Sequence, residues 1–277
     1  MTHDPPAKGL VALVTGASRG IGAAIAQRLA AAGAEVGLVA RTLEAHPHLP
    51  GTLRQTANAI RDLGGRAVMI QGDLSDPLAR RRIVDDVLGR LGRVDILVNN
   101  ASAAYYMPFE EYSEKRYRIA FELNVRAPFD LAQAFLPRMR KVRRGWILNI
   151  SASTSRHPPG PPYDAFTASA GGILYAMTKA ALDRFSTGLA AEVYDEGICV
   201  NSLSPVAAVR TPGTEALHMI PDDPSLIEPV EMIAEAAVAL CTCPARSLTG
   251  RVAFTRALLK ELGRKPRTLD GSADFEE

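Results

Sequence analysis

The chain is poor in cysteine, in net charge and in long apolar runs, and each shortage excludes a class of protein. Three cysteines in 277 residues are too few for a disulfide framework, which indicates a reducing compartment. A net charge of +2 gives no electrostatic reason to expect nucleic acid or a membrane surface as a partner. The chain has no run of about 20 apolar residues, so we predict no membrane span. Its polar start lacks the apolar segment of a secretory signal. We therefore predict a cytoplasmic protein.

What the chain does contain is a regular alternation of apolar runs and helical patterns. Hydrophobic residues make up 47% and charged residues 22%, a balance typical of a globular protein with a large core. Strands that are apolar throughout, each followed by a helix, are typical of a parallel sheet covered on both faces. The pattern predicts an α/β fold: a single doubly wound parallel sheet of about seven strands. We expect one domain over residues 1–277, with a core at about 8–255, a long helix at 114–141, an irregular lid at 206–227 and a mobile tail at about 265–277.

Three patterns that might suggest a special site are better explained as ordinary residues. Cys241 and Cys243 form a C-x-C pair without a partnering Cys or His cluster, which favours small buried side chains over a metal or redox pair. His46 and His48 lie in a proline-rich loop without a third ligand, which favours solvated side chains. Residues 80–82 are all arginine, which favours a solvated helix face. We predict no metal site.

A glycine-rich turn joins the first predicted strand to the first predicted helix. The segment reads Thr-Gly-Ala-Ser-Arg-Gly-Ile-Gly from Thr15 to Gly22. Glycines allow a tight turn and a close approach of the backbone to a pyrophosphate, and the helix N-terminus offers free N–H groups to that anion. Because the motif stands between a strand and a helix, it predicts a dinucleotide site. The expected contacts are Gly16, Ser18, Arg19, Gly20, Ile21 and Gly22.

The end of the second strand indicates which dinucleotide binds. NAD sites of this kind usually place a carboxylate there to accept from the ribose 2′-OH, but this chain has Ala40, Arg41 and Thr42. Arg41, with Arg19 in the glycine turn, is suited to a 2′-phosphate because guanidinium donates two parallel hydrogen bonds. The alternative is two ordinary surface arginines. We predict NADP(H) in preference to NAD(H), and an NAD-linked enzyme of the same fold stays an alternative.

Tyr175 and Lys179 lie four residues apart in a predicted helix and so share one face. An ammonium group beside a phenol lowers the pKa of the phenol from its usual value near 10. Such a tyrosine acts as a general acid and base at a carbonyl oxygen. A lone Tyr-x-x-x-Lys is a common accident, but its position downstream of the glycine turn and the fifth strand favours catalysis.

Several motifs, in order along residues 8–212, resemble those of the classical short-chain dehydrogenase/reductase family, which has a Rossmann-like fold. They are Thr15-Gly16-x-x-x-Gly20-x-Gly22, Gly72-Asp73-Leu74, Asn99-Asn100-Ala101, Asn124, Asn149-Ile150-Ser151, Tyr175-x-x-x-Lys179 and Asn201-Ser-Leu-Ser-Pro205.

The resemblance implies hydride transfer between NADP(H) and a carbonyl or secondary alcohol. It implies that Tyr175 is the general acid and base, that Lys179 holds the nicotinamide ribose and tunes Tyr175, and that Asn124 anchors a water in a proton relay. It also implies further cofactor contacts. Asp73 and Leu74 border the adenine, Asn100 and Ala101 line the groove, and Pro205 and Thr211 complete the set.

The chain departs from the family at the serine that orients the substrate, because Ala152 stands at that position. Ser151 and Ser153 flank it, and in a regular strand they would face away from residue 152. A bulge would present either one. Geometry favours Ser153 and the local motif favours Ser151, so both stay candidates. Ser102 also replaces a usual glycine, a feature similar to the hydroxysteroid dehydrogenase-like branch.

The resemblance also implies partners. We expect a small, largely apolar carbonyl or alcohol substrate and a homodimer or homotetramer. Fold alone does not identify the substrate. The missing serine at residue 152 motivates a rival hypothesis, a protein that binds NADP(H) as a sensor or scaffold and catalyses little.

Overall fold

The chain folds around one seven-stranded parallel sheet. The computed structural model describes residues 4–44, 49–164, 167–168 and 170–276, so His46 and His48 lie outside it. The strands are β1 Val11–Thr15, β2 Glu35–Ala40, β3 Ala67–Gln71, β4 Ile96–Asn99, β5 Gly145–Ile150, β6 Ile198–Ser204, β7 Ala208–Val209, β8 Ile227–Glu228 and β9 Val252–Phe254. Their order in the sheet is β3-β2-β1-β4-β5-β6-β9, which confirms the predicted doubly wound sheet.

Helices cover both faces of the sheet, and each face has its own apolar core. Side chains alternate along β1, so that Ala12 and Val14 belong to one core cluster and Leu13 to the other. Helices α1, α2 and α8 contribute to the first cluster, and α3, α5 and α6 to the second. None of the described helices is long and apolar enough to cross a membrane. The helices are α1 Gly20–Ala31, α2 Leu53–Asp62, α3 Pro77–Leu91, α4 Glu114–Phe121, α5 Ala127–Val142, α6 Ile173–Glu192, α7 Pro212–Ala216, α8 Val230–Cys241 and α9 Thr255–Glu261.

The predicted long helix at 114–141 is interrupted. A π-helical turn, Glu122–Arg126, separates α4 from α5 and carries the buried Asn124. Such single wide turns occur frequently at functional sites because they redirect one side chain without ending the helix. Helical periodicity predicts the two helices but not the extra residue in this turn.

The prediction of a solvated arginine face is wrong for the first of the three arginines. Arg80 is 3% exposed, although residues 81 and 82 are exposed. Its guanidinium donates to Leu74 O at 2.7 Å, to Glu122 Oε2 at 2.8 Å and to Asp130 Oδ2 at 3.0 Å. The first turn of α3 packs against α5, and the carboxylates of the π turn and α5 pair with the buried charge.

Two segments have more structure than the sequence predicts. The lid segment is not irregular throughout, because β7 and β8 pair in parallel and α7 lies between them. In the tail, Arg267 and Asp274 form an antiparallel bridge, and Leu269 packs against the first core cluster. The mobility of this tail stays a prediction.

Candidate active site

The glycine turn has the geometry that a phosphate group requires. Gly16 and Gly20 adopt φ angles of +65° and +55°, which favour glycine. At Gly22, a Cβ would overlap Gly16 O and the side chain of Asn100. Helix α1 begins at Gly20, and no side chain caps it at Arg19. The first backbone N–H groups of α1 therefore fit a pyrophosphate.

The neighbouring turn after β4 is fixed to the end of β1. Thr15 Oγ1 accepts from the backbone N–H groups of Asn100 and Ala101 at 2.9 and 3.0 Å, and Asn100 Nδ2 donates to Thr15 O at 2.9 Å. The strand order reverses between β1 and β4, which is where a crevice for a ligand opens in this class of sheet. The hydrogen bonds thus hold Asn100 and Ala101 beside the glycine turn.

Arg41 follows the end of β2 and lies near Arg19 of the glycine turn. Arg41 is largely exposed and lies 3.8 Å from Asp73 Oδ2, while Arg19 donates to Gly51 O at 2.7 Å. Burial and the charge of Arg41 both lower the pKa of Arg19 below its usual value. An anion between the guanidinium groups would relieve this repulsion, so the pair fits a 2′-phosphate.

Asp73 remains an acceptor at this edge. Burial opposes its ionisation, but hydrogen bonds from Ser75 and the charge of Arg41 outweigh that effect and hold the pKa of Asp73 below its usual value. Leu74 follows it and is buried.

The remaining predicted cofactor contacts lie around the same crevice. A Cβ on Gly20 would lie 3.1 Å from Thr211 Cβ, so the start of the lid reaches the glycine turn. Thr211 also caps α7 by accepting from Thr214 N at 3.2 Å. Ser18 is buried, and Ile21 and Pro205 are half-buried.

Tyr175 and Lys179 share one face of α6, as predicted, but their electrostatics differ from expectation. Lys179 Nζ donates to Ile150 O at 2.7 Å and lies 5.4 Å from the centroid of the Tyr175 ring. Burial lowers the pKa of Lys179 to about 8, against the opposing effect of Asp183. Burial and Tyr106 raise the pKa of Tyr175, and a hydrogen bond with Ser102 opposes them. The prediction that Lys179 lowers the pKa of Tyr175 is wrong, because desolvation of the phenol raises that pKa.

Asn124 fixes the loop that follows β4. Its Oδ1 accepts from Ala103 N at 2.8 Å and from Ser102 Oγ at 3.1 Å. Its Nδ2 donates to Ala103 O and to Thr178 Oγ1, both at 2.9 Å. The π turn thereby joins this loop to α6, one residue before Lys179.

Ser102 contributes a hydroxyl group to the site, although the sequence did not indicate a functional role for it. Its exposed hydroxyl group bonds both to Asn124 Oδ1 and to Tyr175. The only signal in the sequence is the replacement of a usual glycine, which carries no information about where the hydroxyl points.

The two candidate serines have different environments. Ser151 is buried, and its hydroxyl points to Lys179 O at 3.4 Å. Ser153 is exposed at the start of the 3-10 turn Ser153–Ser155, which packs against α6. Ala152 between them is half-buried.

Two tyrosines between β4 and α4, which the sequence did not indicate, belong to this region, and one of them packs beside Tyr175. The rings of Tyr106 and Tyr175 lie 5.9 Å apart between centroids. Tyr112 donates its hydroxyl hydrogen to Gly171 O, which also accepts from Met107 N at 3.0 Å. Gly171 has φ +62°, and a Cβ there would lie 2.5 Å from Met107 O. Gly171, which precedes α6, is thus fixed on the loop after β4.

The cysteines are buried, as predicted. Among the described residues, no group of three or more His, Cys, Asp or Glu side chains is placed to hold a metal ion.

Comparison with known proteins places these features in a family. The family model described as short chain dehydrogenase matches residues 10–219. Hydroxysteroid dehydrogenase-like protein 2 from Homo sapiens is 32% identical over 255 residues, and the protein of that name from Xenopus laevis is 33% identical over 258. These matches cover 92% and 93% of this chain but 58% and 59% of the relatives, so the chain spans little more than half their length.

Solved structures are similar over nearly the whole fold. A short chain dehydrogenase homolog from Mycobacterium thermoresistibile is 33% identical, with a TM-score of 0.78, and the match covers 92% of this chain and 88% of that one. A metagenomic short-chain oxidoreductase in complex with NADP is 31% identical, with a TM-score of 0.70 and coverage of 88% and 95%.

Proposed function

The chain belongs to the short-chain dehydrogenase/reductase family, and from this premise we propose that it is an NADP(H)-dependent oxidoreductase acting on a carbonyl or secondary alcohol. The observation that carries the proposal is the convergence of Tyr175, Lys179 and Asn124, with the hydroxyl of Ser102 bonded to both Tyr175 and Asn124. These groups adjoin the turn that lies against the glycine-rich phosphate cradle.

The nucleotide would bind along the carboxyl edge of the sheet. The glycine turn and the start of α1 would receive the pyrophosphate, and Arg41 with Arg19 would receive the 2′-phosphate. The bound NADP in the metagenomic relative supports the choice of cofactor.

Tyr175 would supply the proton in carbonyl reduction. A tyrosine phenol is protonated at neutral pH, and burial raises the pKa of Tyr175 further, so the group would hold a proton to donate as a general acid. Bound NADPH supplies the hydride, and the chain supplies placement and electrostatics. The Lys179 ammonium over the Tyr175 ring would stabilise the phenolate that remains. Ser102 would orient the phenol from its position between Tyr175 and Asn124.

Ala152 removes the hydroxyl that orients substrate in related enzymes. Ser153 is exposed whereas Ser151 points into the core, so Ser153 is the flanking serine that would contact a substrate. Tyr106 lies next to Tyr175, and its ring offers an apolar surface that suits a largely apolar carbonyl compound.

A second function is favoured by Ala152: a protein that binds NADP(H) without turnover. It predicts the same nucleotide affinity but no reaction that depends on Tyr175. The arrangement of Tyr175, Lys179 and Asn124 around one loop weighs against it, because a sensor has no need of an acid beside the cofactor.

Nucleotide titration followed by a carbonyl panel tests the proposal. We expect tighter binding of NADPH than of NADH, and turnover that falls by about 10²-fold or more in Tyr175→Phe. Tyr194→Phe is the matched control, because Tyr194 lies in the turn between α6 and β6 and should leave turnover unchanged. Tight NADPH binding without turnover on the whole panel would favour the sensor, and equal affinity for both nucleotides would favour the NAD-linked alternative.

A further inference from the structure

Two thiols that lie 44 residues apart in the sequence meet in the core. Cys243 Sγ lies 3.7 Å from Cys199 Sγ. Cys199 lies on β6, and Cys243 follows the end of α8. The C-x-C pattern would pair Cys243 with Cys241, but the thiol beside Cys243 belongs to Cys199 on β6.

The surroundings of the pair activate one sulfur as a nucleophile. Cys243 donates its thiol hydrogen toward Cys199 Sγ, with Leu240 O and Leu248 O as further acceptors at 3.3 and 3.6 Å. This hydrogen bond lowers the pKa of Cys199 below its usual value, although burial opposes it. The thiolate is the reactive form of cysteine, so Cys199 is the more nucleophilic sulfur of the pair.

We propose that Cys199 and Cys243 form a reversible disulfide in response to hydrogen peroxide. The Cys199 thiolate attacks one peroxide oxygen, the O–O bond breaks, and the sulfur becomes a sulfenic acid. The Cys243 sulfur then forms the S–S bond and displaces the sulfenic oxygen. In sum, two thiols are oxidised to a disulfide, and peroxide is reduced to two waters that take up both thiol protons.

The fold decides which sulfur moves. A disulfide needs an S–S distance of about 2.05 Å, so the sulfurs must approach from their present 3.7 Å. Cys199 is held within a strand that pairs with β5 and β9. Cys243 begins the turn between α8 and β9 and is the sulfur that can shift.

The only tryptophan of the chain reports that shift. Trp146 Nε1 donates to Cys243 O at 3.0 Å, and Trp146 is the register partner of Cys199 across β5 and β6. Closing the disulfide therefore alters the surroundings of the indole. The closed loop contains the end of β6, the lid segment and α8, so oxidation would fix the base of the lid without touching the proposed catalytic groups.

The test is titration of the reduced protein with hydrogen peroxide, followed by alkylation under denaturing conditions and peptide mapping. We expect alkylatable thiols to fall from three to one, with Cys199 linked to Cys243 within one chain. We expect a change in Trp146 fluorescence and a rise in Tm on the order of 5–10 °C, since the disulfide closes a long loop. Dithiothreitol should reverse all three changes.

Variants identify the pair. Cys241→Ser should still show the fluorescence change with peroxide, and both of its remaining thiols should become unavailable to alkylation. Cys199→Ser and Cys243→Ser should show no fluorescence change. A map that links Cys241 to Cys243, or oxidation to sulfinic acid without a cross-link, would overturn the proposal. Because mapping of the unaltered chain decides the question, failure of a variant to fold would not obscure it.

Discussion

The proposed nucleotide edge and the proposed substrate side of this molecule, called below the nucleotide edge and the substrate side, are held together in different ways. The nucleotide edge, formed by the turns after β1 to β4, depends on backbone conformation and on hydrogen bonds such as those of Thr15 to the turn after β4. The substrate side, formed by residues 102–112, 151–164, 170–172 and 205–228, depends on contacts between distant loops, such as Tyr112 with Gly171. A local motif therefore specifies the glycine turn, whereas tertiary contacts hold the turn after β4 against it and specify the second region.

Arg80 connects the two regions, and its removal should have the largest effect. It joins Leu74, at the nucleotide edge, to Glu122 of the π turn that carries Asn124. Arg80→Ala leaves Glu122 and Asp130 without their buried partner, so we expect the free energy of unfolding to fall by about 3–5 kcal/mol. Denaturant unfolding measures it.

The neighbouring arginine provides the control. Arg81 is exposed, so Arg81→Ala should change the free energy of unfolding by less than about 0.5 kcal/mol. Equal effects of the two substitutions would show that the buried contacts of Arg80 contribute nothing specific.

Arg41→Ala should affect the nucleotide edge alone. Loss of the guanidinium that would pair with the 2′-phosphate should weaken NADPH binding by roughly 10- to 100-fold, with little change for NADH. Fluorescence titration measures both affinities, and Arg66→Ala serves as the control, because Arg66 precedes β3 and pairs with Glu35 at the amino ends of these strands. Parallel losses for both nucleotides would contradict the proposed 2′-phosphate site.

Ser102→Ala should affect the substrate side alone. Without the hydroxyl bonded to Tyr175 and Asn124, kcat should fall by roughly 10-fold while the Kd for NADPH stays unchanged. Ser102→Thr keeps a hydroxyl and should retain more of the activity. A loss of nucleotide affinity that equals the loss in kcat would assign Ser102 to the nucleotide edge instead.

The smallest expected effect is a pH dependence. Burial lowers the pKa of Lys179 to about 8, so its ammonium is present below that pH and is lost above it. If the charge supports proton donation by Tyr175, kcat/KM for reduction should decline as the pH rises above about 8. Since kcat/KM reports the free enzyme, a profile that stays flat from neutral pH to well above this value would exclude the role of Lys179.

The sequence predicted most of the framework and the nucleotide edge. The apolar pattern predicts strands at 35–40 and 67–71 and a helix at 77–91 that begins with Pro77 after a cap at Ser75 or Asp76. β2, β3 and α3 have these bounds, and Asp76 is the cap. The glycine turn was identifiable because its strand, turn and helix are consecutive in the chain.

The exceptions are all contacts between residues far apart in sequence. Periodicity placed Arg80 with its exposed neighbours, but it is buried because α5 brings two carboxylates to it. The C-x-C pattern gave no hint that Cys243 meets Cys199.

The sequence by itself thus determined the order of strands and helices and the phosphate cradle, since apolar periodicity and glycine conformation are properties of short segments. Only the tertiary structure decided which hydroxyl lies beside Tyr175, which arginine is buried and which thiols meet. Those outcomes depend on how helices and loops pack across the sheet, and the energy of burying a polar group depends on a partner that the local sequence does not name.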